Sequence, residues 1–136
     1  MRILFTGVYS HLYGGLERFA ERAAAALRAQ GHEVDVVGDP EDRLPHVCTF
    51  SVLYVDGETI VDELARRGLA VGSGSACTSD TLEPSHVLAA MGALTQGNVR
   101  ITLPLAAVAP EREAAVAALV EQLPDVVATC RARLGL

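Results

Sequence analysis

Helix-like and strand-like hydrophobic patterns alternate along the chain, and this alternation limits the folds open to it more than any other feature. From Leu16 to Gln30 apolar residues recur at the spacing of an amphipathic helix, and Gly31 ends the pattern. Residues 32–38 and 47–55 instead show the two-residue alternation or the β-branched and aromatic content of strands. The interleaving predicts an α+β fold, a two-layer sandwich of a short sheet and helices.

The second half of the chain continues the alternation. The predicted elements are a helix at 58–67, a short buried strand at 69–71, a helix from Ser85 to Met91 and a strand from Asn98 to Leu103. The glycines and serines of 72–75 predict a loop without regular structure. A helical region follows Pro110, and Pro124 is expected to divide it into two pieces because proline lacks the backbone N–H that a helix interior needs.

Size and composition favour one globular domain spanning 1–136. The chain has 136 residues, of which 50% are hydrophobic and 21% charged. Its net charge is −6 and no cluster of basic residues stands out, so we expect no nucleic-acid partner. No apolar run approaches the roughly 20 residues of a membrane-spanning helix, so we expect no membrane partner and a cytoplasmic location.

The three cysteines differ in their sequence surroundings. Their odd number and their spacing suggest neither a disulfide framework nor a metal site. Cys48 lies in an apolar strand pattern and Cys130 in the last helix, so both are expected to be buried. Cys77 lies in a loop of small residues, where an exposed thiol can ionise and act as a nucleophile. An incidental loop cysteine is the alternative. The loop residues around it are Ser73, Gly74, Ser75, Ala76, Thr78 and Ser79.

The run from Val71 to Leu88, VGSGSACTSDTLEPSHVL, resembles the active-site loop of cysteine desulfurases, which are class V aminotransferase-like enzymes of the fold type I, pyridoxal phosphate-dependent group. The stretches GDPEDRLPH, YVDGE and GNVRITL occur in the order typical of that family's small C-terminal domain. The resemblance covers residues 16–136. It departs from the family at Gly72, where serine is frequent, and at Pro104-Leu105, where Gly-Arg is frequent.

The resemblance implies roles for two residues. Cys77 would accept persulfide sulfur on a mobile loop, for sulfur transfer. Arg100, in NVRITL, would bind the substrate carboxylate through its planar pair of N–H donors. The alternatives for Arg100 are a solvated strand arginine or a structural ion pair. His46 and His86 have no second ligand at a fixed spacing, so packing or capping roles are expected for both.

The absence of lysine limits what the resemblance can imply. In cysteine desulfurases a lysine of the large domain holds pyridoxal phosphate as a Schiff base, whereas all 11 basic residues here are arginine. The chain therefore resembles the small domain alone, and pyridoxal phosphate is expected only with a separate large domain or subunit. Whether the chain is an enzyme stays open at this point.

The expected partners follow from the same resemblance. They are a desulfurase subunit that carries pyridoxal phosphate, a sulfur acceptor protein, or a second copy of the chain in a homodimer. The alternative function is a non-catalytic remnant, or a regulatory module that binds a desulfurase or a sulfur acceptor.

The first 38 residues also resemble the opening strand, Gly-Gly turn and helix of glycosyltransferases with two Rossmann-like lobes. The remaining sequence does not continue that pattern, so no glycosyltransferase activity is expected. Because the resemblance to cysteine desulfurases covers residues 16–136, we expect residues 1–14 to be an added N-terminal segment, either a strand or a replacement leader, that covers an edge of the sheet.

Overall fold

The computed structural model describes residues 2–6, 16–37, 46–73, 85–105 and 107–136. The elements in these ranges are β1 (Arg2–Thr6), α1 (Leu16–Ala29), β2 (Glu33–Val37), β3 (Val47–Val52), α2 (Gly57–Arg66), β4 (Gly72–Ser73), α3 (His86–Ala90), β5 (Asn98–Thr102) and α4 (Arg112–Arg133). Within the described ranges, no helix is both long enough and apolar enough to cross a membrane.

The five strands form one mixed sheet in the order β2-β1-β3-β5-β4. β1 and β2 are parallel and joined through α1, as parallel neighbours require, whereas the other three pairs are antiparallel. β1 covers the edge of β3 that would otherwise be open, and β2 then pairs with the far side of β1. The N-terminal strand β1 therefore extends the antiparallel part of the sheet and is an interior strand, between β2 and β3.

The core lies between one face of this sheet and a layer formed by α1, α2 and α4. Phe50 of β3 pairs with Val99 of β5, and both are fully buried. Leu27, Leu64 and Leu123 bring one large side chain from each of the three helices to the same cluster. Burying each such side chain stabilises the fold by roughly 1.5–3 kcal/mol. The predicted α+β two-layer sandwich is confirmed.

The last helix is continuous, so the prediction that Pro124 divides it is wrong. α4 runs unbroken through this proline. Proline removes one helical hydrogen bond, but here it is buried, and the turns on both sides of it pack into the same core. These buried residues of α4 are Val116, Leu119, Val120, Leu123, Val126, Val127 and Cys130. Burial of these apolar side chains, before and after Pro124, stabilises the continuous helix by more than the missing hydrogen bond costs.

A second prediction fails at the short edge strand. Residues 69–71 were expected to pair and Gly72 to be irregular, but β4 consists of Gly72 and Ser73, opposite Arg100 and Val99 of β5. An edge strand needs only backbone groups for pairing, so small residues can form it. Leu69 and Val71 instead pack their side chains against the core.

A carboxylate on α2 joins this helix to α4. Glu63 accepts hydrogen bonds from Arg133 at 2.7 Å, from Arg66 at 3.0 Å and from Arg67 at 3.2 Å. The Arg133 hydrogen bond is the largest cause that holds the pKa of the Glu63 carboxyl below its ordinary value, and burial opposes it in part. Arg67 also donates to Thr129 Oγ1 of α4 at 3.5 Å. Arg66 and Arg67 lie three and four positions from Glu63 on the same helix, whereas Arg133 lies 70 positions away, so no local pattern indicates that α4 joins this cluster.

Glu63→Gln is expected to lower the free energy of unfolding at pH 7, because an amide cannot replace a carboxylate held by three guanidinium groups. A pKa lowered in the folded state adds stability above the unfolded value, near 4.5, and that stability is lost as the pH falls through the folded value. The difference between variant and wild type should therefore shrink below about pH 4.5 in urea titrations.

Glu113→Gln is the matched control for this experiment. The Glu113 side chain is 65% exposed, against 10% for Glu63, and its ion pair with Arg112 spans 3.9 Å. Exposed pairs of this kind contribute little, so we expect almost no change in stability at either pH. Equal effects of the two substitutions would contradict the structural importance of the Glu63 cluster.

Candidate functional site

The first turn of α2 is fixed by its cap and by close contact with β5. Asp56 is the N-cap, and its side chain accepts from the backbone N–H of Thr59 at 3.1 Å. Gly57 is buried against β5, where an added Cβ would lie 2.4 Å from the carbonyl oxygen of Asn98. Only glycine permits this approach, so the position of the helix start relative to β5 is closely determined.

A buried polar network holds the segment before β5. Asn98 donates through Nδ2 to Ser51 Oγ at 3.2 Å and to the carbonyl of Phe50 at 3.4 Å. Ser51 in turn donates to the carbonyl of Leu94 at 3.0 Å. Because buried polar groups are costly unless they are paired, these hydrogen bonds hold Leu94 and Asn98 in place against β3. Asn98 lies two residues before Arg100.

Arg100 is exposed on the sheet face opposite the core. Its neighbours Val99 and Ile101 are buried, which confirms the predicted alternation along this strand. Its register partners are Thr49 on β3 and Gly72 on β4. A Cβ on Gly72 would lie 3.7 Å from Arg100 Nη2, so the guanidinium extends alongside the edge strand. In the described ranges no carboxylate forms an ion pair with it.

The two residues of β4 present their side chains on opposite faces of the sheet. Gly72 lies beside the Arg100 guanidinium, whereas Ser73 donates from its Oγ to the carboxylate of Glu58, in the first turn of α2. Ser73 is also the last described residue before the segment that contains Cys77. The two residues of β4 therefore contact α2 on one face of the sheet and Arg100 on the other.

Most of the predicted loop residues lie outside the described residues. We call residues 74–84 the Cys77 segment; it contains Gly74, Ser75, Ala76, Cys77, Thr78 and Ser79. Ser73 and Arg100 are the two predicted site residues within the described ranges, and β4 and β5 bring them together. They belong to paired strands although 27 positions separate them in the sequence.

The other two cysteines are buried, as the sequence predicted. Cys48 and Cys130 are both fully buried in the core. Burial raises the pKa of the Cys130 thiol, and its Sγ lies 3.7 Å from the carbonyl oxygen of Thr59. A buried thiol held in its neutral form is a poor nucleophile, so both residues behave as small apolar side chains.

The histidines His46 and His86 are exposed, before β3 and at the start of α3 respectively. α3 is capped by Ser85, whose Oγ accepts from the backbone N–H of Leu88 at 3.4 Å. Among the described residues, no group of three or more histidine, cysteine or acidic side chains is arranged to hold a metal ion.

Sequence patterns missed Glu58. Its carboxylate contacts Ser73, which lies 15 positions later in the chain. The two residues are not partners on one helix face or across paired strands, so periodicity in the sequence cannot reveal their contact. The one available signal was the position of Glu58 in the first turn of a predicted helix, which is equally typical of a residue that interacts only with the helix dipole.

Comparison with known proteins gives a consistent result. The family model described as aminotransferase class-V matches residues 16–113. A cysteine desulfurase of Trichormus azollae is 36% identical over 118 residues, which cover 85% of this chain and 28% of the relative. Cysteine desulfurase NifS of Azotobacter vinelandii is 38% identical over 114 residues, or 82% of this chain and 27% of the relative.

A third relative has a higher identity over a shorter part of the chain. Cysteine desulfurase IscS of Methylococcus capsulatus is 45% identical over 91 residues, which are 65% of this chain and 22% of the relative. The chain spans less than a third of the length of each of these three relatives.

Proposed function

Since the chain belongs to the aminotransferase class-V family and is a cysteine-desulfurase-like domain, we propose that it transfers sulfur through a persulfide on Cys77. In this proposal Cys77 is the nucleophile and Arg100 binds the carboxylate of the sulfur donor. The backbone N–H groups and hydroxyls of the residues around Cys77, from Ser73 to Ser79, would supply donors to an anionic sulfur.

The observation that carries this proposal is the position of Arg100 at the base of the Cys77 segment. Its guanidinium is exposed, extends along Gly72 and has no acidic partner in the described ranges. Cys77 lies four positions after Ser73, with three residues between them, and four residue steps span at most about 14 Å. This limit supports a donor whose carboxylate is bound by Arg100 and whose sulfur is passed to Cys77.

The transfer step conserves atoms and electrons. The Cys77 thiolate attacks the terminal sulfur of a donor persulfide, R–S–SH. The sulfur–sulfur bond of the donor breaks, its electron pair leaves with the donor as the thiolate R–S⁻, and a new sulfur–sulfur bond forms on Cys77. The terminal sulfur atom passes from one thiolate to the other without a change in its oxidation state, so no outside oxidant or reductant is needed. Arg100 orients the donor through its carboxylate.

The residues of this chain do not fit pyridoxal phosphate. The Schiff base to that cofactor requires a side-chain primary amine, and every basic residue here is an arginine, which stays protonated. We therefore derive no step through the cofactor on this chain. A separate large domain or subunit would supply it, and that protein, a sulfur acceptor or a second copy of this chain is the proposed partner.

Arg100→Ala separates a binding role from a structural one. With cysteine persulfide as donor, we expect the variant to gain sulfur on Cys77 about ten-fold more slowly, because a charge-assisted pair of hydrogen bonds to the carboxylate is lost. With inorganic polysulfide, which has no carboxylate, the rate should stay at the wild-type value. Peptide mapping by mass spectrometry measures both.

An equal loss with both donors would show that Arg100 acts through the fold, and its binding role would be withdrawn. Wild-type protein that takes up no sulfur from either donor would instead favour the alternative, a non-catalytic remnant or a module that binds a desulfurase or its acceptor.

A further inference from the structure

The C-terminal ends of α2 and α4 gather positive charge on a chain that is acidic as a whole. The Glu63 carboxylate accepts hydrogen bonds from three arginines, which are Arg66, Arg67 and Arg133. Three guanidinium charges against one carboxylate leave the cluster positive, whereas the net charge of the chain is −6. The neighbouring Asp62 forms no ion pair with these arginines in the described ranges. The excess of positive charge at this place is therefore uncompensated.

Two of the three guanidinium groups are held close together and reach solvent. Arg66 Nη1 and Arg133 Nη2 both donate to Oε2 of Glu63, at 3.0 Å and 2.7 Å. Because they contact the same oxygen atom, the two nitrogen atoms are no farther apart than two hydrogen-bond lengths. The Arg66 and Arg133 side chains are 59% and 47% exposed, whereas Glu63 is almost buried. The shared carboxylate thus holds two solvent-accessible guanidinium groups as a pair.

The pair keeps hydrogen-bonding capacity that the described residues do not use. A guanidinium group has several N–H donors, and within the described ranges Arg66 and Arg133 each donate from one nitrogen atom. Two like charges held this close repel each other, and an anion that contacts both removes that repulsion. Carboxylates match the planar fork of a guanidinium group. A second carboxylate can therefore bridge Arg66 and Arg133 from the solvent side.

The surroundings of the pair favour a polypeptide as the source of this carboxylate. Leu134 follows Arg133 directly and is more than half exposed, so an apolar side chain adjoins the charged pair in the chain. A segment with acidic and apolar side chains matches that combination. A nucleic acid would instead extend its phosphates over the surface of a chain with 17 acidic and 11 basic residues, where like charges repel.

We propose that the C-terminal ends of α2 and α4 form a docking surface for an acidic segment of a partner protein, in which a partner carboxylate bridges Arg66 and Arg133. Glu63 then has two roles, because it joins the two helices and also holds the two arginines in position. The docking surface contains neither Cys77 nor Arg100, so it can be tested without any sulfur transfer.

Hexaglutamate with blocked ends is the probe, and it is added to the full-length, isotope-labelled protein at low ionic strength. The side-chain Nε–H signals of Arg66 and Arg133 in the NMR spectrum are expected to shift until binding saturates. The signal of Arg22, an exposed arginine of α1, should change little. Hexaglutamine has the same length without the charges and should cause no shift. This measurement on the wild-type protein does not depend on whether any variant folds.

Arg133→Gln is expected to weaken the binding of hexaglutamate about five-fold, which is the size of effect typical of a half-exposed charge pair. Arg66→Gln should weaken it by a similar factor, because the carboxylate contacts both residues. The matched control is Arg22→Gln, which removes the same charge from an exposed position on another helix and should leave the dissociation constant nearly unchanged. Thermal unfolding of each variant verifies that it is folded.

Shifts of similar size at Arg22 and at the Arg66–Arg133 pair would show that hexaglutamate responds only to the presence of arginine, and this result would overturn the docking surface. A wild-type protein without any saturable shift would overturn it too, as would equal losses of affinity in Arg22→Gln and Arg133→Gln. Hexathymidylate, a single-stranded oligonucleotide of the same length, is the competing probe. Weaker binding than that of hexaglutamate supports an acidic polypeptide, whereas tighter binding at the same two arginines refutes it in favour of a nucleic acid.

Discussion

Cys77→Ser protein is expected to gain no sulfur from a persulfide donor, whereas wild-type protein gains one sulfur atom on this residue. Serine keeps the size and polarity of the side chain, but its hydroxyl does not ionise at neutral pH and cannot form a sulfur–sulfur bond. The loss should therefore be complete. Intact mass and peptide mapping after incubation with cysteine persulfide measure it.

The internal controls for this substitution are the other two cysteines of the same protein. Cys48 and Cys130 are fully buried, so their peptides should carry no added sulfur in either protein. Because serine keeps the size of the side chain, the unfolding temperature of the variant should match that of wild type. Sulfur spread equally over all three cysteines would contradict a specific acceptor, as would uptake by the serine variant.

Local patterns predicted most of the fold because they depend on neighbours in sequence. The first helix was predicted from Leu16 to Gln30 and runs from Leu16 to Ala29. The strand predicted at 47–55 ends earlier, at Val52, because the chain turns at Tyr54 with φ of 64°. Such a conformation is rare for a bulky residue and gives no periodic signal. Hydrophobic alternation therefore extended the strand past the turn.

The errors at Pro124 and at β4 share one cause. In both places a residue with poor intrinsic propensity occupies a regular element because the surrounding fold compensates. Burial of the apolar residues of α4 stabilises the helix through Pro124, and Gly72 pairs with the backbone at the edge of β5. Secondary-structure propensity depends on the local segment alone, whereas the stabilising contacts in these two places are made with distant parts of the chain.

The candidate site was predictable only in part, for the same reason. Alternation placed Arg100 on the exposed face of its strand, and the structure confirms this. The contacts of Glu58 with Ser73 and of Glu63 with Arg133 link residues 15 and 70 positions apart. No local pattern encodes such pairs, because the topology of the sheet and the packing of α4 bring them together.

Gly97→Ala is expected to destabilise the protein by about 3–5 kcal/mol, because the substitution combines backbone strain with a severe overlap. Gly97 has φ of +67°, and an added Cβ would lie 2.2 Å from the carbonyl oxygen of Val52 and 2.4 Å from that of Val55. The overlap involves backbone atoms, so no side chain can move to relieve it. Urea titration measures the change in unfolding free energy.

Gly92→Ala separates the two causes. Gly92 has the same φ of +67°, but nothing lies within 4 Å of an added Cβ, so only the backbone strain remains, at about 1–2 kcal/mol. Equal losses of stability in the two variants would show that the positive φ alone causes the destabilisation and that the overlap at Gly97 adds nothing. The larger loss of stability expected at Gly97 follows from its position next to the start of β5. The carbonyl of Gly97 also accepts a hydrogen bond from the backbone N–H of Val52, at the end of β3, at 3.1 Å. A shift there would displace Asn98, and with it both the strand that carries Arg100 and the helix turn that carries Glu58.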